Sequence, residues 1–152
     1  SAEAIAEMVR LAAVEVRRFG IEPKVALMSH SNFGTSNHPT ALKMRDAVAL
    51  LHASDPDLEV EGEMQADSAV NGAIRDRVFP ESKLSGNANL LVAPSLDAAN
   101  IAFNLLKTVG EGLSVGPILV GMAAPVHVVT QSVTTRGIMN MTAYAVVDAQ
   151  GR

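Results

Sequence analysis

The chain has 152 residues, 48% of them apolar and 18% charged, which makes one globular domain and at most one and a half. A formal net charge of -4 supplies no general attraction to nucleic acid or to an anionic membrane, and 3% aromatic content without Trp leaves little on which bases could stack. No Cys is present, which excludes disulfides, thiolate metal sites and thiol catalysis, and a cytoplasmic location fits best.

Taken in order, Ser1 enters a helical pattern at once, with no initiator Met and no leading strand, so the chain is read as a fragment of a longer polypeptide. Apolar positions Ile5, Met8, Ala12, Val16 and Phe19 recur at helical spacing, and Gly20 sits where a left-handed cap closes a helix. After Pro23, Val25 to Met28 reads as a short buried strand that ends in the polar loop Ser29 to Asn37. Pro39 suits the first turn of a second helix, carried by Leu42, Ala47, Val48, Leu50 and Leu51 and stopped at Asp55-Pro56. Glu59 to Met64 alternates charged with small or apolar residues, as a half-exposed strand does, and its charged face is assigned to solvent. Asp67 is placed as the cap of a helix running through Val70, Ile74 and Val78.

The continuous apolar run Leu90 to Ala93 has the character of a central parallel strand. Ser95 or Asp97 caps the next helix, whose stripe Ile101, Leu105, Leu106 and Val109 is the clearest amphipathic pattern in the chain. Two further apolar runs, Ile118 to Met122 and Val126 to Thr130, precede a last helix from about Thr135 to Ala149. The long apolar stretch from Val115 to Val129 is broken by Gly116, Pro117, Gly121, Pro125 and His127, too often for a membrane span. Strands alternating with helices predict an α/β fold with a mainly parallel sheet flanked by helices.

Several clusters carry possible chemistry. The loop Ser29 to Ser36 offers hydroxyls, a glycine and backbone N–H groups between a strand and a helix, chemistry suited to a phosphate or pyrophosphate, although an ordinary connecting loop looks the same. Glu59, Glu61 and Glu63 share a strand face and could hold a cation, but a solvated face is the preferred reading. His30, His38, His52 and His127 lack metal-ligand spacing and are assigned separate roles. The methionines 8, 28, 44, 64, 122, 139 and 141 are read as core filler, and Arg75 and Arg77 as a solvated helix face in preference to contacts with coenzyme phosphates.

Nearly the whole chain resembles the second half of a phosphate acetyltransferase. Val25-Ala26-Leu27-Met28-Ser29-His30-Ser31 is similar to that family's Val-Ala-Leu-Leu-Ser-Phe-Ser, and Gly34, Ser36 and His38-Pro39 continue the match. Glu61 to Asp67 is similar to its Asp-Gly-Glu-Leu-Gln-x-Asp, and Gly86 to Asn89 with Pro94 to Ile101 to its Gly-x-Ala-Asn and Pro-Asp-Leu-Asp-Ala-Gly-Asn-Ile elements. Gly116 to Val126 follows its Gly-Pro-Ile strand. The family's Asn-Asp-Leu-Ser-Arg-Gly loop, however, aligns with His127, Val128, Val129, Thr130, Gln131 and Ser132, and a later Asp falls at Gly137. His30, Asn32-Phe33-Gly34 and Thr130-Gln131 lean toward the phosphate-acetyltransferase-like domain that ends the bacterial multifunctional NADP-dependent malic enzymes.

The resemblance implies the two-lobed architecture shared with isocitrate dehydrogenase-like proteins, with 1-124 as an α/β lobe and 125-152 as a strand and helix returning to the other lobe. It implies that Ser29, Ser31, Asn32, Thr35, Asn100, Thr130, Gln131 and Ser132 form one wall of an acetyl-CoA site, with no catalytic residue in this chain. Acetyl-CoA or a related acyl-CoA is then an effector and the protein a homo-oligomer. NADP and a divalent metal belong to domains outside the chain, where malate is oxidatively decarboxylated. Two alternatives stand beside this reading: an active phosphate acyltransferase, and a purely structural dimerisation module.

Overall fold

The computed structural model describes residues 1–151, which divide into two compact units, Ser1–Ala102 and a second beginning at Phe103. In the first unit, helix α1 (Ala2–Arg18) starts on Ser1, whose Oγ accepts from the Ala4 N–H, and stops where Gly20 takes φ +73°. Strand β1 (Lys24–Met28) follows, then helix α2 (Pro39–Ser54), strand β2 (Glu59–Met64), short helices α3 (Ala66–Val70) and α4 (Gly72–Val78), strand β3 (Leu90–Val92) and helix α5 (Leu96–Val109), whose residues fall in both units. Ser95 Oγ accepts from the Ala98 N–H at the start of α5.

Among the described residues the strands make one parallel sheet in the order β2-β1-β3. Val25 and Leu27 point to one face, where Ile5, Ala6, Val9, Met44, Ala47, Val48, Leu51 and Val60 complete a core with α1 and α2. Ala26 points to the other face and meets Met64, Ala69 and Leu84. Apolar residues toward both sides are why the middle of this strand, Val25 to Leu27, is fully buried.

Five expectations need correction. The central strand is β1, and the apolar run Leu90–Val92 is a half-buried edge, since a continuous apolar pattern reports coverage and not strand order. On α1 the buried residues are Ile5, Ala6, Val9 and Ala13, while Met8 and Phe19 lie 55% and 54% exposed, so the buried stripe is rotated by one position. Asp67 lies inside α3 instead of capping it, and the expected single helix breaks at Asn71, whose side chain accepts from the Ala73 and Ile74 N–H groups and so starts α4. Arg75 is buried, not solvated, and its Nη2 donates to Leu84 O. Methionines 44, 64 and 141 do fill cores, whereas Met8, Met122 and Met139 are exposed.

The acidic face of β2 is covered as well. Half-exposed Glu59 accepts from the Ser85 N–H and hydroxyl, and buried Glu61 accepts from the Lys83 N–H, so both carboxylates bind the 83–85 loop. The Ser85 N–H holds the Glu59 carboxyl below its ordinary value against a smaller opposing effect of burial. Pairing between β1 and β2 shifts after Leu27↔Gly62 to Met28↔Met64, leaving Glu63 as an extra residue, and the Gly62–Glu63 peptide is cis. Gly62 has φ +149°, and a Cβ there would stand 2.7 Å from Leu27 O, so the position requires glycine.

In the second unit, residues 118–122 and 126–130 form no strand, because a strand is defined by its ladder and none of the described residues supplies one. Helix α6 (Thr135–Gln150) begins at Thr134, whose Oγ1 accepts from the Gly137 N–H at 3.0 Å. Its buried face is Met141, Tyr144 and Asp148. The amphipathic stripe of α5 exists, but Ile101, Leu105, Leu106 and Val109 are between 61% and 75% exposed and no residue of that helix is buried.

Candidate functional site

The loop between β1 and α2 is held in place by one carboxylate. Glu63, fully buried at the β2 bulge, accepts from Ser31 Oγ (2.9 Å), from the Gly34 N–H (3.1 Å) and from both Nε and Nη2 of Arg45 (3.0 and 2.9 Å). Its own carbonyl accepts from the Phe33 N–H at 2.7 Å, and Arg45 reaches on to Ser36 O at 2.8 Å. Burial by itself pushes the Glu63 carboxyl up, yet the bonds from Arg45, the Gly34 N–H and Ser31 outweigh it and hold the group below the ordinary glutamate value. A second clamp joins Asn32 to Gln65: Asn32 Nδ2 donates to Gln65 Oε1, the Gln65 N–H donates to Asn32 Oδ1, and Gln65 Nε2 donates to His30 O.

Under these restraints Phe33 and Gly34 take φ +44° and +93° in succession. A phenylalanine in the left-handed region is a costly backbone state that persists because its surroundings impose it. Its ring is thereby laid against Phe79, with centroids 4.2 Å apart and planes 18° from parallel.

A cavity of about 620 Å³ opens over this loop, lined by His30, Ser31, Asn32, Phe33, Thr35 and Ser36 of the loop and by Gln65, Val78 and Phe79. That volume is in the range of small-molecule sites. Three of the expected residues, Ser31, Asn32 and Thr35, therefore share one cavity. Ser29 does not line it; its N–H donates to Met64 O and its hydroxyl is buried. Asn100 lies on α5, exposed and away from this lining.

The N–H groups expected to face a phosphate are mostly turned inward. Those of Ser29, Asn32, Phe33, Gly34 and Thr35 donate to Met64 O, Thr35 Oγ1, Glu63 O, Glu63 Oε1 and Asn32 O. Arg45, whose guanidinium reaches this loop, is paired with Glu63. What the loop shows the cavity is side chains.

Thr130, Gln131 and Ser132 belong to the second unit and form an exposed turn in which the Thr130 and Ser132 hydroxyls are 3.1 Å apart and the Val133 N–H donates to Thr130 O. The segment entering this turn is anchored by His127, whose buried ring lies edge-on to Tyr144, 4.9 Å between centroids, with Nε2 3.5 Å from Asp148 Oδ2. Tyr144 and Asp148 are one turn apart on α6, so one imidazole bridges both. At Gly137 an added Cβ would stand 2.8 Å from Val133 Cγ2, so an acidic side chain has no room without moving a stiff β-branched neighbour.

Sequence reasoning missed Glu63, Arg45, Gln65, Phe33 and Phe79. A glycine in the middle of β2 next to an acid was the available signal for a bulge, and two of only four Phe meeting in one cavity could be seen only in three dimensions. Among the described residues no group of acidic and His side chains could hold a metal ion, and no helix is long and apolar enough to cross a membrane.

Comparison with known proteins agrees with this architecture. The chain is 54% identical over 98% of its length to an NAD-dependent malic enzyme of Rhizobium meliloti and 52% identical over 98% to an NADP-dependent malic enzyme of Escherichia coli. It spans only 19% and 20% of those proteins, in their C-terminal portions. A phosphotransacetylase from Streptococcus pyogenes superposes with TM-score 0.95 at 29% identity, over all of this chain and 46% of that one. Residues 1–146 match the phosphate acetyl/butaryl transferase family, and the chain belongs to that family.

Proposed function

We propose that this chain is a regulatory segment of a multifunctional malic enzyme, one that binds acetyl-CoA and contributes to oligomerisation without transferring an acyl group. The observation that carries the reading is the second-unit turn. It presents Thr130, Gln131 and Ser132, so that the turn itself carries no cation and the next guanidinium is that of Arg136 in the first turn of α6, where Gly137 has no room for a carboxylate unless Val133 moves. Loss of a fixed donor to the developing charge of an acyl-transfer transition state costs about 3 kcal/mol, roughly 100-fold in rate. A cavity of ligand size over a pre-set polar loop supports retention of binding. The charge-poor, exposed apolar face of α5 supports a role in assembly, since patches of that kind mark interfaces. NADP and a divalent metal would act in other domains of such an enzyme, on malate. Acetyl-CoA bound here would change activity there only through two states of unequal affinity, and the coupling is reciprocal.

The likeness to a phosphotransacetylase keeps a second reading in view, an acyltransferase in which Thr130 and Ser132 act as donors. Titration of acetyl-CoA into the intact protein, with Thr130→Ala and Gln131→Ala beside it and an assay of acetyl-CoA formation from acetyl phosphate, separates the two. Saturable binding weakened by either change without turnover supports the regulatory reading. Turnover supports the acyltransferase, and absence of binding leaves an architectural module.

A further inference from the structure

We propose that the cavity over the β1–α2 loop is a subsite for a flat, uncharged nitrogen heterocycle, the adenine ring of a nucleotide ligand. The inference rests on the acetyl-CoA reading and specifies which part of the molecule this cavity takes. Its walls are of two kinds. Phe33 and Phe79 are already stacked at 4.2 Å, and a third ring laid against them extends the stack, with Val78 beside it. The backbone at Phe33, held at φ +44° by two bonds to Glu63 through residues 33 and 34, fixes that ring before any ligand arrives.

The rest of the lining, beside His30, carries neutral donors and acceptors. Asn32 and Gln65 bind each other, yet each primary amide keeps one further N–H and each side-chain oxygen a second lone pair, and the Thr35 hydroxyl lies beside them. An amide that offers both a donor and an acceptor matches the amino group and adjacent ring nitrogen of adenine. Among the residues lining the cavity none is Lys or Arg, and the N–H groups of Asn32, Phe33, Gly34 and Thr35 are used inside the protein, so the chemistry favours a neutral ring over a phosphate.

The test titrates the intact protein with three probes: acetyl-CoA, acetyl-CoA whose adenine has been deaminated to hypoxanthine, and S-acetylpantetheine, which lacks the nucleotide. With wild-type protein the deaminated ligand should bind roughly tenfold more weakly or worse. Phe79→Leu should weaken acetyl-CoA about tenfold and leave S-acetylpantetheine unchanged, while Phe79→Tyr, which keeps the stack, should retain affinity. If acetyl-CoA binds saturably but deamination and Phe79→Leu have no effect, the subsite is refuted and the acetyl-CoA reading survives. If acetyl-CoA does not bind at all, both fall. The deamination comparison needs no variant, so a Phe79→Leu protein that fails to fold does not blunt the test.

Discussion

The β1–α2 loop and the turn at Thr130–Ser132 are both polar connections after apolar runs, yet they are built differently. The first is clamped from beneath by Glu63, with Arg45, Ser31 and the Gly34 N–H on its oxygens, and it presents a defined cavity. The second is exposed, and the polar contacts found within it are a hydroxyl pair and one backbone bond; its order comes from outside, through His127 against α6 and the Thr134 cap. A buried carboxylate can pre-set a binding loop at the level of individual hydrogen bonds, whereas a turn held only at its ends tolerates replacement of the residues it displays. That asymmetry supports the proposed reading, in which a binding pocket is kept while the residues displayed by the turn diverge.

The comparison breaks first at the bulge that places Glu63. Gly62→Ala puts a Cβ 2.7 Å from Leu27 O and should cost about 3 kcal/mol, read as a fall in unfolding free energy with loss of acetyl-CoA binding. Glu63→Gln keeps the shape but leaves Arg45 without its carboxylate and sets an amide against donors; it should cost about 2 kcal/mol in denaturant unfolding and weaken acetyl-CoA at least as much as Thr130→Ala does. The same carboxylate gives the loop an acid limit. Because its folded pKa is depressed, its contribution is fully present above the unfolded glutamate value of about 4.3 and is lost as pH falls through the lower folded value. Stability measured from pH 6 down to 3 should drop in wild type and drop less in Glu63→Gln.

Smaller effects belong to the second unit. Thr134→Ala should cost about 1 kcal/mol by removing the α6 cap, visible as a lower unfolding midpoint. Gln131→Arg should change stability by no more than about 0.5 kcal/mol at this exposed turn. It should also fail to confer acetyl-CoA formation from acetyl phosphate, because Gly137 still lacks a carboxylate; measurable turnover in that variant would show that the cation alone had been missing.

Much of the fold was legible because its signals were local. Ser1, Gly20, Pro39 and Asp55 mark helix ends, and Val25 to Met28 reads as a buried strand from composition alone. Legibility failed where partners were remote. Glu59, Glu61 and Glu63 look like a solvated face until the 83–85 loop and the Phe33–Gly34 backbone are brought over them. Arg75 looks like a surface cation until Leu84 lies across it. The apolar runs at 118–122 and 126–130 show strand hydropathy, but hydropathy does not supply a ladder. Of the candidate site, Ser31, Asn32 and Thr35 were visible as a polar loop. The residues that shape it, Glu63 and Phe79, come from elements 28 and more positions away in sequence, beyond any spacing rule.

The central claim, binding without turnover, is tested most directly by calorimetric titration of acetyl-CoA into the intact protein, with acetyl phosphate-dependent formation of acetyl-CoA assayed on the same sample. The account predicts saturable binding that Glu63→Gln and Gln131→Ala each weaken, with no acyl transfer. Acyl transfer by the wild-type protein, or no heat of binding at any attainable acetyl-CoA concentration, would contradict it.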